Sequence, residues 1–178
     1  MTRMEPYSRM GLFGAVWGLA GVLALLTSAC YRLWPKAVDA FSHPFAWHHW
    51  LTLAVIVFGM AYAEGYKGFQ KAFSPRVAAR ARYLRDHPRT LHVLLAPLFC
   101  MGYFHATRRR KITSLSLTLG IVVLVILVSF VAQPWRGIID AGVVVGLAWG
   151  VLTVAWYGLT ALRSEEFRYS PEVPDGRS

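Results

Sequence analysis

Two acidic side chains, Glu64 and Asp140, fall inside long apolar stretches. A carboxylate in hydrocarbon costs roughly 2.5–3.5 kcal/mol on insertion scales, so each must be paired, protonated or in use. Glu64 follows Trp50 by about 21 Å of helix and lies between Tyr62 and Tyr66. As a ligand it would be an ion or proton site; as a structural charge it would be held by Lys67, three residues on, and anchor a helix end. Asp140 has Arg136 four residues earlier on the same helical face, which satisfies it locally. The two acids belong to opposite ends of their stretches and do not make a carboxylate pair.

The histidines carry the next possibility. Asp39, His43, His48 and His49 come close enough in sequence for a divalent metal, but their spacing matches no ligand motif, and an aromatic-rich loop with exposed histidines accounts for them. His92 and His105 bracket the apolar segment 91–107, which Pro97 and Gly102 interrupt. A bis-histidine haem would need ligands from two helices at matching depth, and this single pair does not supply them. No metal and no cofactor is expected. Cys30 and Cys100 form no CxxC and fall on opposite faces of the topology below. There is no GxSxG, HExxH or Walker A sequence, so the enzyme reading has no motif behind it. Thr27-Ser28-Ala29-Cys30 departs from a lipoprotein cleavage site by having Thr27 where Leu is usual, which favours an uncleaved first helix.

A third group is basic. Ser74 and Pro75 open a helix, with Ser74 as N-cap and Pro75 in the first turn, and His87-Pro88 closes it. Val77, Ala81 and Leu84 share its narrow apolar face, flanked by Arg76 and Arg80 on one side and by Arg82, Arg85 and Arg89 on the other. That pattern predicts an interfacial helix facing anionic headgroups. Arg108, Arg109, Arg110 and Lys111 form a second cluster expected to do the same.

The elements that must position these residues are membrane helices. The chain has 178 residues, 56% hydrophobic and 16% charged, with mean hydropathy +0.42. That composition predicts an all-α integral membrane protein. Four stretches have spanning length: 11–30, 49–66, 112–132 and 137–162. If 91–107 were a fifth span, the nineteen Lys and Arg would divide ten to nine; if it re-enters or lies at the interface, they divide sixteen to three, with only Arg32, Lys36 and Arg136 outside. The asymmetric division is what insertion produces, and it accounts for the net charge of +10 without nucleic acid. Both termini are then cytoplasmic, the segment 67–111 is a cytoplasmic basic hairpin, and the tail 163–178 is expected to be disordered. Trp34, Trp47, Trp50 and Trp135 fall at the outer boundary of this topology.

Small residues predict where helices meet. Gly14 and Gly18 share one face of the first span, and Gly142, Gly146 and Gly150 share one face of the last, which lets a neighbouring backbone approach closely. Packing within the chain is expected, with the first helix as one candidate partner and a second protomer as the other. The expected function is a non-enzymatic component of the inner membrane that contacts anionic lipid and assembles with a partner complex. The rival is a small homo-oligomeric transporter or channel that uses Glu64 and the break at Pro97. A third reading is a lipid-modifying enzyme using His92, His105 and the basic cluster on lipid phosphates.

Overall fold

Apolar runs long enough to be helices, broken only where Pro or Gly intervenes, leave little room for anything else. The computed structural model, which describes residues 8–164 and 166–174, is 82% helix with no strand among the described residues. Helix α1 (Arg9–Asp39) starts under Ser8, whose side chain accepts a hydrogen bond from the backbone N–H of Gly11 at 3.3 Å. It runs past Cys30 and through Pro35 into a 3-10 turn at Ala40–Ser42, and so extends beyond the limit expected from hydropathy. After α2 (Trp47–Met60) the helix does not stop: Ala61–Phe73 is π-helical, and α3 (Ser74–Asp86) continues with right-handed helical backbone at both junctions. The broken segment folds as α4 (Thr90–Leu94) and α5 (Ala96–Met101), ending at Gly102 with φ +84°, a left-handed conformation that suits glycine. A hairpin of α6 (Arg108–Ser129) and α7 (Trp135–Arg163) completes the chain.

Three helical runs are long and apolar enough to cross a membrane: 9–42, α6 and α7, with mean hydropathies of 1.9, 2.5 and 2.0. The fourth expected span, 49–66, is divided between α2 and the π-helical stretch, whose lysines lower its apolarity. Still, the continuous helix 47–86 runs parallel to α7 along most of its length. Ile56 packs at Gly142, Glu64 at Gly146, Phe69 at Gly150, and the Ser74 and Thr153 hydroxyls hydrogen-bond at 2.8 Å. The partner of the glycine face of α7 is thus this second helix. Helix α1 meets α7 elsewhere, through Ala40 at Gly137 and Leu19 at Gly158.

The glycines of α1 face the broken segment instead. Leu84 and Val93 approach Gly14, Ala96 and Cys100 approach Gly18, and Pro97 approaches Gly21, while the Arg85 carbonyl fills the space beside Gly11. The chain from 85 to 97 therefore advances along α1 and then turns back at Gly102. This packing corrects the expectation for α3, which is no surface helix: it lies between α1 and α7, with Val77, Ala78, Ala79, Ala81 and Leu84 buried. The reason is size, since alanines lie on both flanks of its apolar stripe and admit helices from two directions. The tail expected to be disordered returns, over residues 166–174, to the same end of the bundle, where the Thr107 N–H donates to the Glu172 carbonyl at 3.1 Å.

Candidate functional site

The π-helical winding decides what surrounds Glu64. In an α-helix residues three and four apart share a face, so Glu64 would meet Lys67. In the π-helix the recurrence is nearer five. The Lys67 ammonium sits over the Tyr62 ring at 4.7 Å and that of Lys71 over the Tyr66 ring at 4.5 Å, both i,i+5 pairs. Tyr62 and Tyr66 stack on each other with centroids 5.9 Å apart. The same winding turns Glu64, Gly65, Phe69, Gln70 and Ser74 toward α7: Trp149 packs on Gly65 and donates its Nε1 hydrogen to Gln70 at 2.9 Å. Glu64 itself is half-buried against Gly146, where an added Cβ would lie 3.2 Å from the Glu64 Cβ and 3.3 Å from its Oε2. The expected Glu64–Lys67 ion pair does not form, because the lysine is aimed at Tyr62. Asp140 does have its expected partner, with Arg136 Nε at 3.8 Å.

At the opposite end from the tryptophans, the arginines turn inward. Arg80, only 1% exposed, commits four hydrogen bonds to backbone carbonyls: Nε to Phe99 at 2.5 Å, one terminal nitrogen to Pro171 at 2.9 Å, the other to Phe104 at 2.9 Å and His105 at 3.1 Å. Its guanidinium also lies 4.2 Å from the Phe99 ring centroid. With five donors in a rigid fork, one arginine ties α3, the end of α5, the 102–107 turn and the tail together. Arg82 and Arg85 donate to the Ser164 and Leu162 carbonyls, each at 2.9 Å, and so satisfy the last turn of α7. Both also face Asp86, at 3.8 and 2.8 Å. Arg110 is buried beside Glu172 at 4.0 Å, and Arg76 is half-buried. The expected headgroup-binding set therefore divides. Arg80, Arg85 and Arg110 serve the protein's own backbone and tail, Arg76 and Arg82 are partly covered, and Arg108, Arg109 and Lys111 stand exposed at the start of α6. Nothing in residue type distinguished the two groups; a carbonyl acceptor can belong to any residue.

His92 and His105, thirteen residues apart in sequence, come together with ring centroids 4.7 Å apart, and His92 stacks on Phe99 at 5.0 Å. His105 takes φ +45°, which aims two consecutive carbonyls, its own and that of Phe104, at Arg80. Both imidazoles are held below the ordinary histidine range, first by burial and then by nearby cations, Arg80 and Arg89 for both and Lys111 for His105. His105 adds to the effect on His92. The Nδ1 of His92 is buried without a hydrogen-bond partner. Neither histidine lines either of two grooves among the described residues: an apolar one of about 390 Å³ lies between Phe13 and Trp17 of α1 and Thr90, Val93 and Leu94 of α4. A smaller one of about 180 Å³ lies between α3 and the tail.

At the tryptophan end Trp47 and Trp135 pack against the His48 and His49 rings, and Trp50 packs against Phe45. There the Ala46 N–H donates to His49 Nδ1 at 3.1 Å, and the Gln133 side chain donates to Asp39 at 2.9 Å. The expected cluster is thus spent on a helix cap and a loop contact, and no three His, Cys, Asp or Glu side chains among the described residues converge on one point. Comparison of the chain with protein-family models, with curated proteins and with solved structures returns no significant match.

Proposed function

We propose that this chain is a four-span, non-enzymatic inner-membrane component whose helix α6 docks on a partner membrane protein. The observation that carries the reading is the contrast between α6 and the rest. In its most apolar eighteen-residue window only 6% of residues are buried, against 33% in the windows of α1 and α7. Leu115, Leu119, Ile121, Leu124 and Leu127, which point in all directions round the helix, are 44–65% exposed, and nothing lies within 4 Å of the Cβ position of Gly120. It is fastened near its two ends, by the Ser114 hydroxyl on the Met101 carbonyl at 3.1 Å and by Tyr103 on Thr118 at 2.5 Å in the basic half, and by Arg136 on the Ser129 carbonyl at 3.5 Å at the other end. Meanwhile the devices for association elsewhere, the glycine faces of α1 and α7 and the buried arginines, are occupied within the chain. Of the three long apolar helices, α6 keeps by far the largest share of its surface for others.

Four spans, cytoplasmic termini and a re-entrant 91–107 follow from the sixteen-to-three division of basic residues, supported by the helix 47–86 lying alongside α7 and by the turn back at Gly102. In this topology the exposed Arg108, Arg109 and Lys111 meet anionic headgroups on the cytoplasmic side. A photoreactive side chain placed at Gly120 or Leu124 in native membranes is expected to give one discrete protein adduct, while Leu25 of α1, also exposed, gives lipid adducts. Lipid adducts alone at all three positions would sink the reading. The rival transporter reading draws its support from Glu64, whose side chain has no ion pair among the described residues.

A further inference from the structure

We propose that Glu64 is a reversible proton-binding site within the membrane, made available by the π-helical winding of Ala61–Phe73. The proposal stands whether or not α6 has a partner. Among the other acids inside or capping the bundle, each has a counterpart: Asp39 accepts from Gln133, Asp86 faces Arg82 and Arg85, Asp140 faces Arg136, and Glu172 faces Arg110. Among the described residues Glu64 has no hydrogen-bond partner and no ion pair. The two cations close enough in sequence to neutralise it are turned away by the winding, Lys67 to Tyr62 and Lys71 to Tyr66.

The elements packed on this stretch bring no substitute. From α2 come Ile56 and Met60, which are apolar. From α7 come Gly146 and Trp149, and the charged pair Arg136–Asp140 lies nearer the tryptophan end, occupied with itself. From α3 the nearest charge is Arg76, twelve residues further along the same helix. A carboxylate in apolar surroundings with no counter-charge is unfavourable, and uptake of one proton from water removes the charge outright. Gly146 supplies the space, since any side chain there would press on the Glu64 carboxyl. π-Helical turns are rare and are frequently found at functional sites. Here the effect is chemical: the winding frees the acid by rotating the lysines off its face.

Labelling with dicyclohexylcarbodiimide tests this, because the reagent partitions into the bilayer and reacts with the protonated carboxyl and not with the carboxylate. The full chain in vesicles, mapped by peptide mass, is expected to carry the adduct at Glu64, with a rate that falls tenfold per pH unit on the alkaline limb. The adduct on that peptide should vanish in Glu64→Gln, and the rate should be unchanged in Lys67→Ala. No adduct in the folded parent protein, or a rate that is flat with pH, overturns the proposal. So does a several-fold rise in Lys67→Ala, which would mean that the lysine holds the acid after all. Protection by sodium ion at fixed pH would replace the proton by a metal cation and likewise overturn it.

Discussion

Helices α6 and α7 form one hairpin across the turn 130–134 and are equally fit for a membrane, yet one is packed and the other is not. Apolarity does not separate them, since α6 is the more apolar at 2.5 against 2.0. Small residues do. Helix α7 carries Gly137, Gly142, Gly146, Gly150 and Gly158, each with a neighbour pressed against it, whereas Gly120 of α6 faces open space. Lipid tails are as apolar as leucine, so hydropathy fixes only that a helix is in the membrane, and close backbone approach fixes what it touches. A similar division runs through the basic end, where Arg80 and Arg85 of α3 are buried while Arg108 and Arg109, at the start of α6, are exposed.

The largest effect should come from exchanging the two environments of glycine. A side chain at 142 would meet the Ile56 Cγ2 at 2.5 Å and the Met60 Cγ at 3.1 Å. Gly142→Leu must then part α7 from α2, and overpacking of about 1–3 kcal/mol or more is expected to appear as a clear loss of thermal stability in detergent. Gly120→Leu should leave stability where it was. Equal loss in both variants would show that α6 packs within the chain, and equal tolerance would show that the glycine face of α7 is not a contact.

How much of this was legible in the sequence depends on the kind of interaction. Three of the four spanning runs, the glycine face of α7 and the Arg136–Asp140 pair are written in hydropathy and periodicity and are found there, although the helix that meets the glycines is the second and not the first. The winding at 61–73 was missed because a period of 3.6 was assumed. The repeat of Tyr62 with Lys67 and Tyr66 with Lys71 is a five-residue signal present in the sequence. Arg80 was missed for a deeper reason: its four acceptors are backbone carbonyls, one of them at Pro171 in a segment with no pattern at all. Amphipathic arithmetic reads an arginine as a surface residue unless an acid waits at helical spacing. It has no term for a chain that folds its own carbonyls around a guanidinium.

That reading sets a second contrast of nearly equal size. Arg80→Leu deletes the donors for Phe99, Phe104, His105 and Pro171 and leaves buried carbonyls without partners. Hydrogen bonds to a charged group are worth about 1.5–3 kcal/mol each and do not add, so a loss of about 3 kcal/mol is expected, together with faster proteolysis of the tail after Arg163. Arg109→Leu, on the exposed start of α6, should change stability by within about 0.5 kcal/mol. If the tail stays protected in Arg80→Leu, the arginine is not what fastens it.

The smallest expected effect lies at the joint between the packed and unpacked halves, where His92 and His105 touch just before the chain enters α6. Both imidazoles are held below the ordinary value of about 6.5, chiefly by burial, with Arg80, Arg89, Lys111 and, for His92, the neighbouring His105 adding repulsion. For a base the sign is this: below about pH 6.5 the unfolded chain takes up protons that the folded chain refuses, so the unfolded state binds more and stability falls as the pH falls. Above that pH neither state is protonated and the histidines contribute no slope. The thermal midpoint in detergent should therefore be level from about pH 7 upward and decline on acidification, until the folded-state values are passed. His92→Gln should shrink that decline while leaving the midpoint near pH 8 little changed, because Gln keeps a polar side chain of similar reach but cannot charge. A decline of the same size in His92→Gln and in a His92→Gln, His105→Gln double variant as in the parent would show that the acid sensitivity lies elsewhere, and leave the two histidines as ring packing alone.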